Sequence, residues 1–210
     1  SNPVRWNPSC PRCRGEIEPV LTPETADRNG ESIYAVTKKA QEDLLAGTCR
    51  QLGVPLAILR YATVLGPGQS WHNPFTRLLE LLGSGQAPVI HEDGMQTRDF
   101  IFVGDVVAAN MRALERQDAL IERVNVAAAQ MPLLDFVRQL SACVADALKT
   151  KPLQPIVDGK LNAGDVRHCY VDCTRLGQLY GLKPERDIQG GMQRLVDWYV
   201  RFKGLVPSRN

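Results

Sequence analysis

No run of apolar residues in the sequence approaches the roughly 18 residues that a membrane-spanning helix needs. Blocks of like charge are also absent, and the formal net charge is only +2. Six cysteines among 210 residues are too few for the disulfide framework of a small secreted domain. These absences argue against a membrane protein, a nucleic-acid-binding protein and a disulfide scaffold, and they favour the reducing cytoplasm.

Residues 1–30 differ from the rest because they contain five prolines and show no apolar periodicity, which predicts an irregular segment. A tight turn is expected at CPRCRG, residues 10–15, where Cys-x-x-Cys followed by glycine is typical of a zinc knuckle. Cys10 and Cys13 are therefore candidate metal ligands, although one knuckle supplies only two of the four ligands of a structural zinc site. A redox-active pair is less favoured because no helix start follows it.

The remaining sequence alternates helix patterns with short apolar strands, which is typical of an α/β protein. A helix is predicted from Ser32, with Gly53 as its C-cap, and a strand buried on both faces is predicted directly after it. Two short strands are expected around EDG at residues 92–94, and Asp105 is the predicted N-cap of the next helix. Further helices are predicted toward the C-terminus, one of them capped by Asp172.

Tyr34 and Lys38 are four residues apart at the start of the first predicted helix. Residues at that spacing share a helix face, so both side chains can reach one ligand. A neighbouring ammonium favours the ionised form of a tyrosine, which would let Tyr34 exchange protons near neutral pH. The pattern Tyr-x-x-x-Lys also occurs by chance as a solvated surface pair, so the pair alone does not establish a site.

The pair has a context in five stretches that occur in this order: SIYAVTKKAQEDLL, LAILRYATVLGPGQS, NPFTRLL, EDGMQTRDFIFVGDVVAAN and GDVRHCYVDCTRL. Together they resemble the extended short-chain dehydrogenase/reductase family, and within it the NAD-dependent nucleotide-sugar epimerases and dehydratases. The resemblance covers about residues 31–202. It implies the C-terminal part of a Rossmann-like doubly wound parallel sheet, together with a small mixed α/β substrate-binding region.

The resemblance also implies roles for individual residues. Tyr34 would be the catalytic acid/base, Lys38 would bind the nicotinamide ribose of NAD, and Tyr61 would lie beside the nicotinamide. Three residues would contact the diphosphate of a nucleotide-sugar substrate: Asn73, Arg98 and Arg167. Arginine suits this role because its planar guanidinium can donate two parallel hydrogen bonds to phosphate oxygens. Each arginine has an alternative role as a surface residue or as the ion-pair partner of Asp99 or Asp165.

The sequence lacks the glycine-rich loop with which this family holds the cofactor pyrophosphate. It also lacks the catalytic serine or threonine that the family places on a strand before the tyrosine helix. The chain is therefore expected to be the C-terminal part of a longer enzyme, to bind NAD poorly and to be inactive alone. Residues 1–30 would be a Cys-x-x-Cys insertion, 31–130 the end of the NAD-binding domain interleaved with substrate-binding segments, and 131–210 the substrate-binding region with C-terminal helices.

Three functions remain as alternatives. In a 4-epimerase, NAD takes a hydride from C4 of the sugar while Tyr34 removes the hydroxyl proton, and return of the hydride to the opposite face inverts C4. A nucleotide-sugar 4,6-dehydratase differs in an acid/base residue that is not in this sequence. A non-catalytic binding or assembly module is the third alternative. The resemblance further implies a homodimer paired through the tyrosine helix, and the Cys-x-x-Cys pair keeps structural zinc among the expected groups.

Overall fold

The computed structural model describes residues 6–27, 32–116, 120–161, 166–184 and 188–205, which contain six helices and seven strands. In chain order these are α1 (Ile33–Leu52), β1 (Leu56–Tyr61), β2 (Thr63–Leu65), α2 (Pro74–Gly83), β3 (Val89–Ile90), β4 (Thr97–Phe102), α3 (Val103–Glu115), β5 (Ile121–Val126), β6 (Ala129–Pro132), α4 (Leu133–Leu148), β7 (Ile156–Val157), α5 (Thr174–Tyr180) and α6 (Gln189–Lys203). This alternation confirms an α/β protein. In these ranges, no helix combines the length and hydropathy of a membrane span.

The strands form three small sheets. β1 pairs in parallel with β5, from Leu56 beside Ile121 to Tyr61 beside Val126. β4 lies between β2, to which it is parallel, and β6, to which it is antiparallel. β3 and β7 form a third, parallel pair. The β1–β5 pair corresponds to the parallel sheet that the sequence pattern predicts, and the β2–β4–β6 sheet combines a parallel with an antiparallel pairing.

Two apolar clusters hold these elements together. The larger packs α2, α4 and α6 against the mixed sheet around Phe100 and Phe136, whose rings stack with centroids 4.3 Å apart. α4 contributes strongly because eight of its 16 residues are buried. The smaller cluster packs α3 and α5 against β4 and β5 through side chains such as Ile101, Val124 and Leu176.

α1 is held to the rest of the protein by few apolar contacts. It begins where the Ser32 hydroxyl accepts the N–H of Ala35, and it ends at Gly53, whose φ of 65° confirms the predicted cap. Of its 20 residues only Ala46 is buried. Its other large apolar side chains stay exposed, Tyr34 among them. Such an apolar surface is typical of an interaction site.

The prediction for Asp105 is wrong. α3 begins at Val103, because the extended backbone of β4 leads directly into the helix at Phe102, which provides no side-chain cap. Asp105 lies instead in the first helical turn, where the helix dipole stabilises its negative charge. The cap predicted at Asp172 is displaced by one residue: the N-cap of α5 is Cys173, which makes no side-chain cap, and Asp172 before it accepts the N–H of Thr174 at 2.9 Å.

The strand predicted as buried on both faces is also corrected by the structure. It is interrupted at Ala62, and its two parts, β1 and β2, join different sheets. Within the described ranges β1 pairs on one side only, with β5, and Tyr61 at its end is 44% exposed. The continuous apolar run therefore predicts a strand correctly, but it overestimates how much of that strand is buried by the described residues.

Candidate active site

Tyr34 and Lys38 lie together on the first turns of α1, as their spacing predicts. The Lys38 Nζ atom is 5.6 Å from the centroid of the Tyr34 ring and donates a hydrogen bond to Gln41 Oε1 at 3.3 Å. The Tyr34 side chain is 71% exposed. The two groups are therefore close enough to share a ligand, and they face an open surface.

Tyr61 is the last residue of β1, at the carboxyl end of the parallel pair. Its hydroxyl lies 2.9 Å from Asn110 Nδ2, which donates to it, and 3.1 Å from Asn110 Oδ1. Asn110 Nδ2 also donates to Val106 O at 2.7 Å within α3. The Tyr61 ring lines a groove of about 490 Å³ along β1. Ligands of α/β proteins bind outside the carboxyl ends of the strands, so this position suits a ligand contact.

Asn73 has a structural role in the described residues. Its side-chain oxygen accepts the N–H of Phe75 at 2.8 Å and caps α2, with Pro74 at the first helical position. Because the cap uses the oxygen, the amide NH₂ group is the part that could contact a diphosphate.

Arg98 and Arg167 are brought together. Arg98 Nη1 donates to Thr97 O at 2.8 Å and lies 3.5 Å from Arg167 O. The Arg167 guanidinium binds both carboxylate oxygens of Asp93, at 2.6 and 2.8 Å, and Glu92 Oε2 at 3.1 Å. The sequence does not predict Asp93 as the partner of Arg167, and a phosphate at this guanidinium would meet two carboxylates already in place.

The Asp93–Arg167 pair predicts an acid-dependent loss of stability. Partial burial by itself raises the pKa of Asp93, but hydrogen bonds from Arg167 and from the Met95 N–H outweigh burial and hold the pKa below its ordinary value. Such a carboxylate stabilises the fold above its unfolded pKa of about 3.9, and this contribution is lost as the pH falls through the lower folded pKa. We therefore expect the free energy of unfolding to decline below about pH 4.

Urea unfolding from about pH 6 to about pH 3 measures this decline. Asp93→Asn, which cannot ionise at this position, should be less stable at the upper end of the range and should show a shallower decline. If the two proteins lose stability in parallel, the pair does not contribute to the pH dependence.

The sequence pattern of the NAD dependent epimerase/dehydratase family matches residues 14–127, which is more than half of the chain. The chain belongs to this family. Two curated members are similar over most of it. A dTDP-L-rhamnose 4-epimerase from Burkholderia thailandensis is 32% identical, over 86% of this chain and 50% of that protein. A putative UDP-glucose 4-epimerase from Methanocaldococcus jannaschii is 30% identical, over 88% of this chain and 58% of that protein.

Solved epimerase structures share the fold of this family member. A UDP-glucose 4-epimerase from Thermotoga maritima, solved with UDP-glucose, matches with a TM-score of 0.77 and 27% identity over 90% of this chain and 60% of that chain. A UDP-glucuronic acid 4-epimerase from Bacillus cereus, solved with NAD, matches with a TM-score of 0.75 and 25% identity over 88% of this chain and 56% of that chain. The chain thus spans about half the length of the curated relatives it matches, which fits the predicted C-terminal part of the family fold.

Cys10 and Cys13 lie in the tight turn that the sequence predicts. Arg14 N donates to Cys10 O and Cys10 N donates to Gly15 O, both at 2.8 Å. The backbone N–H groups of Cys13 and Arg12, followed by the Cys13 thiol, hydrogen-bond to the Cys10 sulfur and lower the pKa of its thiol. No group of three or more metal-ligating side chains converges in the described part of the chain. Cys10 and Cys13 supply two ligands, so these residues do not support a structural zinc site.

The N-terminal segment is hydrogen-bonded to Arg167 and to β5. Asn7 Oδ1 accepts a hydrogen bond from Arg167 Nε at 2.8 Å. Farther along, the Glu24 carboxylate accepts the N–H of buried Asn125 at 2.9 Å, and the Asn125 amide donates to Thr22 O at 3.0 Å. The segment therefore covers the β5 side of the parallel pair and leaves the other edge of β1 without a partner among the described residues.

The sequence gives no signal for two groups that shape this site. Asn110 fixes the Tyr61 hydroxyl from 49 residues away, and the Glu42 carboxylate binds the Arg60 guanidinium from 18 residues away. Both contacts depend on how α1 and α3 lie against β1. An asparagine or a glutamate on a helix pattern has no local feature that predicts such a partner.

Proposed function

We propose that the chain is the substrate-binding, C-terminal part of an NAD-dependent nucleotide-sugar 4-epimerase. The observation that carries the proposal is the Tyr34–Lys38 pair, close together on an open helix face, in a chain whose curated relatives at 30% and 32% identity are named as 4-epimerases. A 4,6-dehydratase is the second candidate. It is less favoured because the dTDP-glucose 4,6-dehydratase match, at 18% identity, supports the fold alone.

In this proposal the chain's own residues move a proton and bind the substrate. The Tyr34 hydroxyl would take the proton of the sugar C4 hydroxyl and return it after inversion. The Lys38 ammonium would bind the nicotinamide ribose and offset the negative charge that develops on the tyrosine oxygen. Tyr61 would lie beside the nicotinamide ring. NAD, when bound, supplies the hydride acceptor for C4 of the sugar.

The residues present fit one part of NAD, its nicotinamide side. The glycine-rich loop for the pyrophosphate is absent from the sequence. In the part of the chain that the structure describes, β1 has a free edge, and Tyr34, Leu45 and Leu52 on α1 are all more than half exposed. Parallel sheets of α/β proteins are covered on both faces, so these surfaces suit a nucleotide-binding half that lies against them. We propose that this chain is inactive without that half.

For the substrate, we propose Arg98 as the main diphosphate contact, with Asn73 and Arg167 in supporting positions. Arg167 is bound by Asp93 and Glu92, and a second anion at its guanidinium would be repelled by both carboxylates. Arg98 is part of the short strand β4, and its guanidinium lies 3.5 Å from the Arg167 carbonyl oxygen. A rigid strand suits a residue that must hold a phosphate in one position.

A homodimer and a cytoplasmic location complete the proposal. Ile33, Val36 and Leu44 are 85%, 57% and 70% exposed and lie along one side of α1. An exposed apolar row of this kind suits a subunit interface. All six cysteines are free thiols, which fits a reducing compartment.

An assay of the full-length protein that contains this chain tests the proposed reaction. The protein is incubated with NAD and with UDP- and dTDP-hexoses, and the products are identified by NMR. We expect inversion at C4 with every other ring carbon unchanged. Loss of the C6 hydroxyl with a 4-keto product would establish the dehydratase instead. A protein that binds NAD and converts none of these sugars would overturn the epimerase proposal and support the assembly module.

A further inference from the structure

A charged pair provides a directional contact between α1 and the sheet. α1 has one buried residue, whereas α4 buries eight of its 16. The Glu42 carboxylate on α1 accepts two hydrogen bonds from the Arg60 guanidinium on β1, at 2.8 Å from Nε and 2.7 Å from Nη2. Two parallel bonds between planar groups fix orientation as well as distance.

The pair is shielded and has further partners. The Arg60 and Glu42 side chains are 22% and 15% exposed, so water and salt screen them less than an ordinary surface pair. Arg60 Nη1 also donates to the Glu24 carbonyl at 3.1 Å. Arg123 Nε on β5 lies 3.5 Å from Glu42 Oε2. The pair therefore joins α1, both parallel strands and the N-terminal segment.

Both members of the pair are next to the proposed catalytic groups. Tyr34, Lys38 and Glu42 follow one another at intervals of four residues, so they form one stripe along α1. Arg60 is followed directly by Tyr61 at the end of β1. A rotation of α1 on the sheet would move Tyr34 and Lys38 relative to Tyr61. Few apolar contacts of α1 oppose such a rotation.

We propose that Glu42 and Arg60 are positioning residues: their ion pair holds α1 in the orientation in which Tyr34 and Lys38 act on the same ligand as Tyr61. This inference rests on the proposed function of Tyr34 and Lys38. Glu42 and Arg60 act through the helix and the strand that they join, not through contact with the sugar. Glu24 and Arg123 support the pair from the N-terminal segment and from β5.

Hydrogen exchange on the 210-residue chain tests the orientation without any need for catalysis. Glu42→Gln keeps the size of the side chain and removes its charge. We expect faster amide exchange in residues 33–41, because the first turns of α1 lose their fixed position. Glu115→Gln is the matched control, since Glu115 pairs with Arg112 at 2.9 Å on the exposed side of α3. Equal exchange of residues 33–41 in wild type and Glu42→Gln would overturn the proposal.

Kinetics of the full-length protein test the effect on catalysis. We expect Glu42→Gln and Arg60→Gln each to lower kcat by about 10²-fold, because a misplacement of about 1 Å has an effect of this size. KM should stay within about twofold, since the substrate contacts are elsewhere. The double variant should resemble either single variant, because both changes break one interaction. Circular dichroism confirms that each variant is folded.

The two arms separate the possible failures. Additive losses in the double variant, or a raised KM with unchanged kcat, would show that the pair does not position the catalytic groups. If wild type shows no epimerase activity, the proposed function fails, and the exchange measurement alone decides whether the pair orients α1.

Discussion

Replacement of Tyr34 by phenylalanine is expected to lower kcat of the full-length enzyme by about 10²- to 10⁴-fold, the usual contribution of a general acid/base. Phenylalanine keeps the ring and its contact with Lys38, but it has no oxygen to take the proton of the sugar C4 hydroxyl, the role proposed for Tyr34. Binding of NAD should therefore persist. The measurement is the rate of C4 inversion at saturating substrate, together with the NAD content of the purified variant.

A second tyrosine provides the control for this change. Tyr199 is buried in the larger core, at 4% exposure, and its replacement by phenylalanine also removes one hydroxyl. Tyr199→Phe should keep kcat within about twofold of wild type, because the residue belongs to the core and not to the proposed site. A Tyr34→Phe enzyme as active as Tyr199→Phe would exclude Tyr34 as the acid/base.

The largest effect on stability is expected from Phe136→Ala. Phe136 is fully buried, stacks on Phe100 with an angle of 5° between the ring planes, and meets Phe75 edge to face at 5.1 Å. Truncation would remove one side of this stack and leave a cavity that the sheet beneath cannot fill. We expect the free energy of unfolding to fall by about 3–5 kcal/mol, measured by urea denaturation.

Phe202→Ala is the matched substitution at the surface. Phe202 is 61% exposed near the end of α6, so its truncation leaves no closed cavity. The expected loss is below about 1 kcal/mol. Similar losses for the two variants would show that the ring stack around Phe136 is not the centre of the core.

Features that depend only on residues close together in the chain can be predicted from the sequence. The four-residue spacing of Tyr34 and Lys38 is enough to place them on one helix face, and Gly53 is enough to end that helix. The family motifs add the fold class, because their order reflects the order of the strands and helices. The start of α3 could not be predicted from neighbouring residues. The backbone of β4 continues directly into the helix at Val103, two residues before Asp105, the residue that resembles a cap.

Contacts between distant residues are not predictable in this way. Arg167 pairs with Asp93, which lies 74 residues earlier, and only the packing of the two segments shows that this arginine already has anionic partners. The contact between Tyr61 and Asn110 likewise depends on the position of α3. β6 and β7 are four and two residues long, which is too short for a repeating pattern to show.

The exposed surfaces of α1 and β1 are accounted for by the proposed nucleotide-binding half. The pattern of the sequence predicts a strand buried on both faces, and the structure shows one that is half covered. Both observations agree if a nucleotide-binding half normally lies against this strand. The length of the curated relatives, about twice the matched segment, is consistent with such a half.

Binding of NAD, measured by isothermal titration calorimetry, is the most direct test of this account. The cofactor is titrated into the 210-residue chain alone and, in parallel, into the full-length protein. We expect no saturable binding to the chain alone, because the proposed contacts of Tyr34, Lys38 and Tyr61 reach only the nicotinamide side. For the full-length protein we expect one NAD per protomer. Tight binding to the chain alone, or none to the full-length protein, would contradict this account.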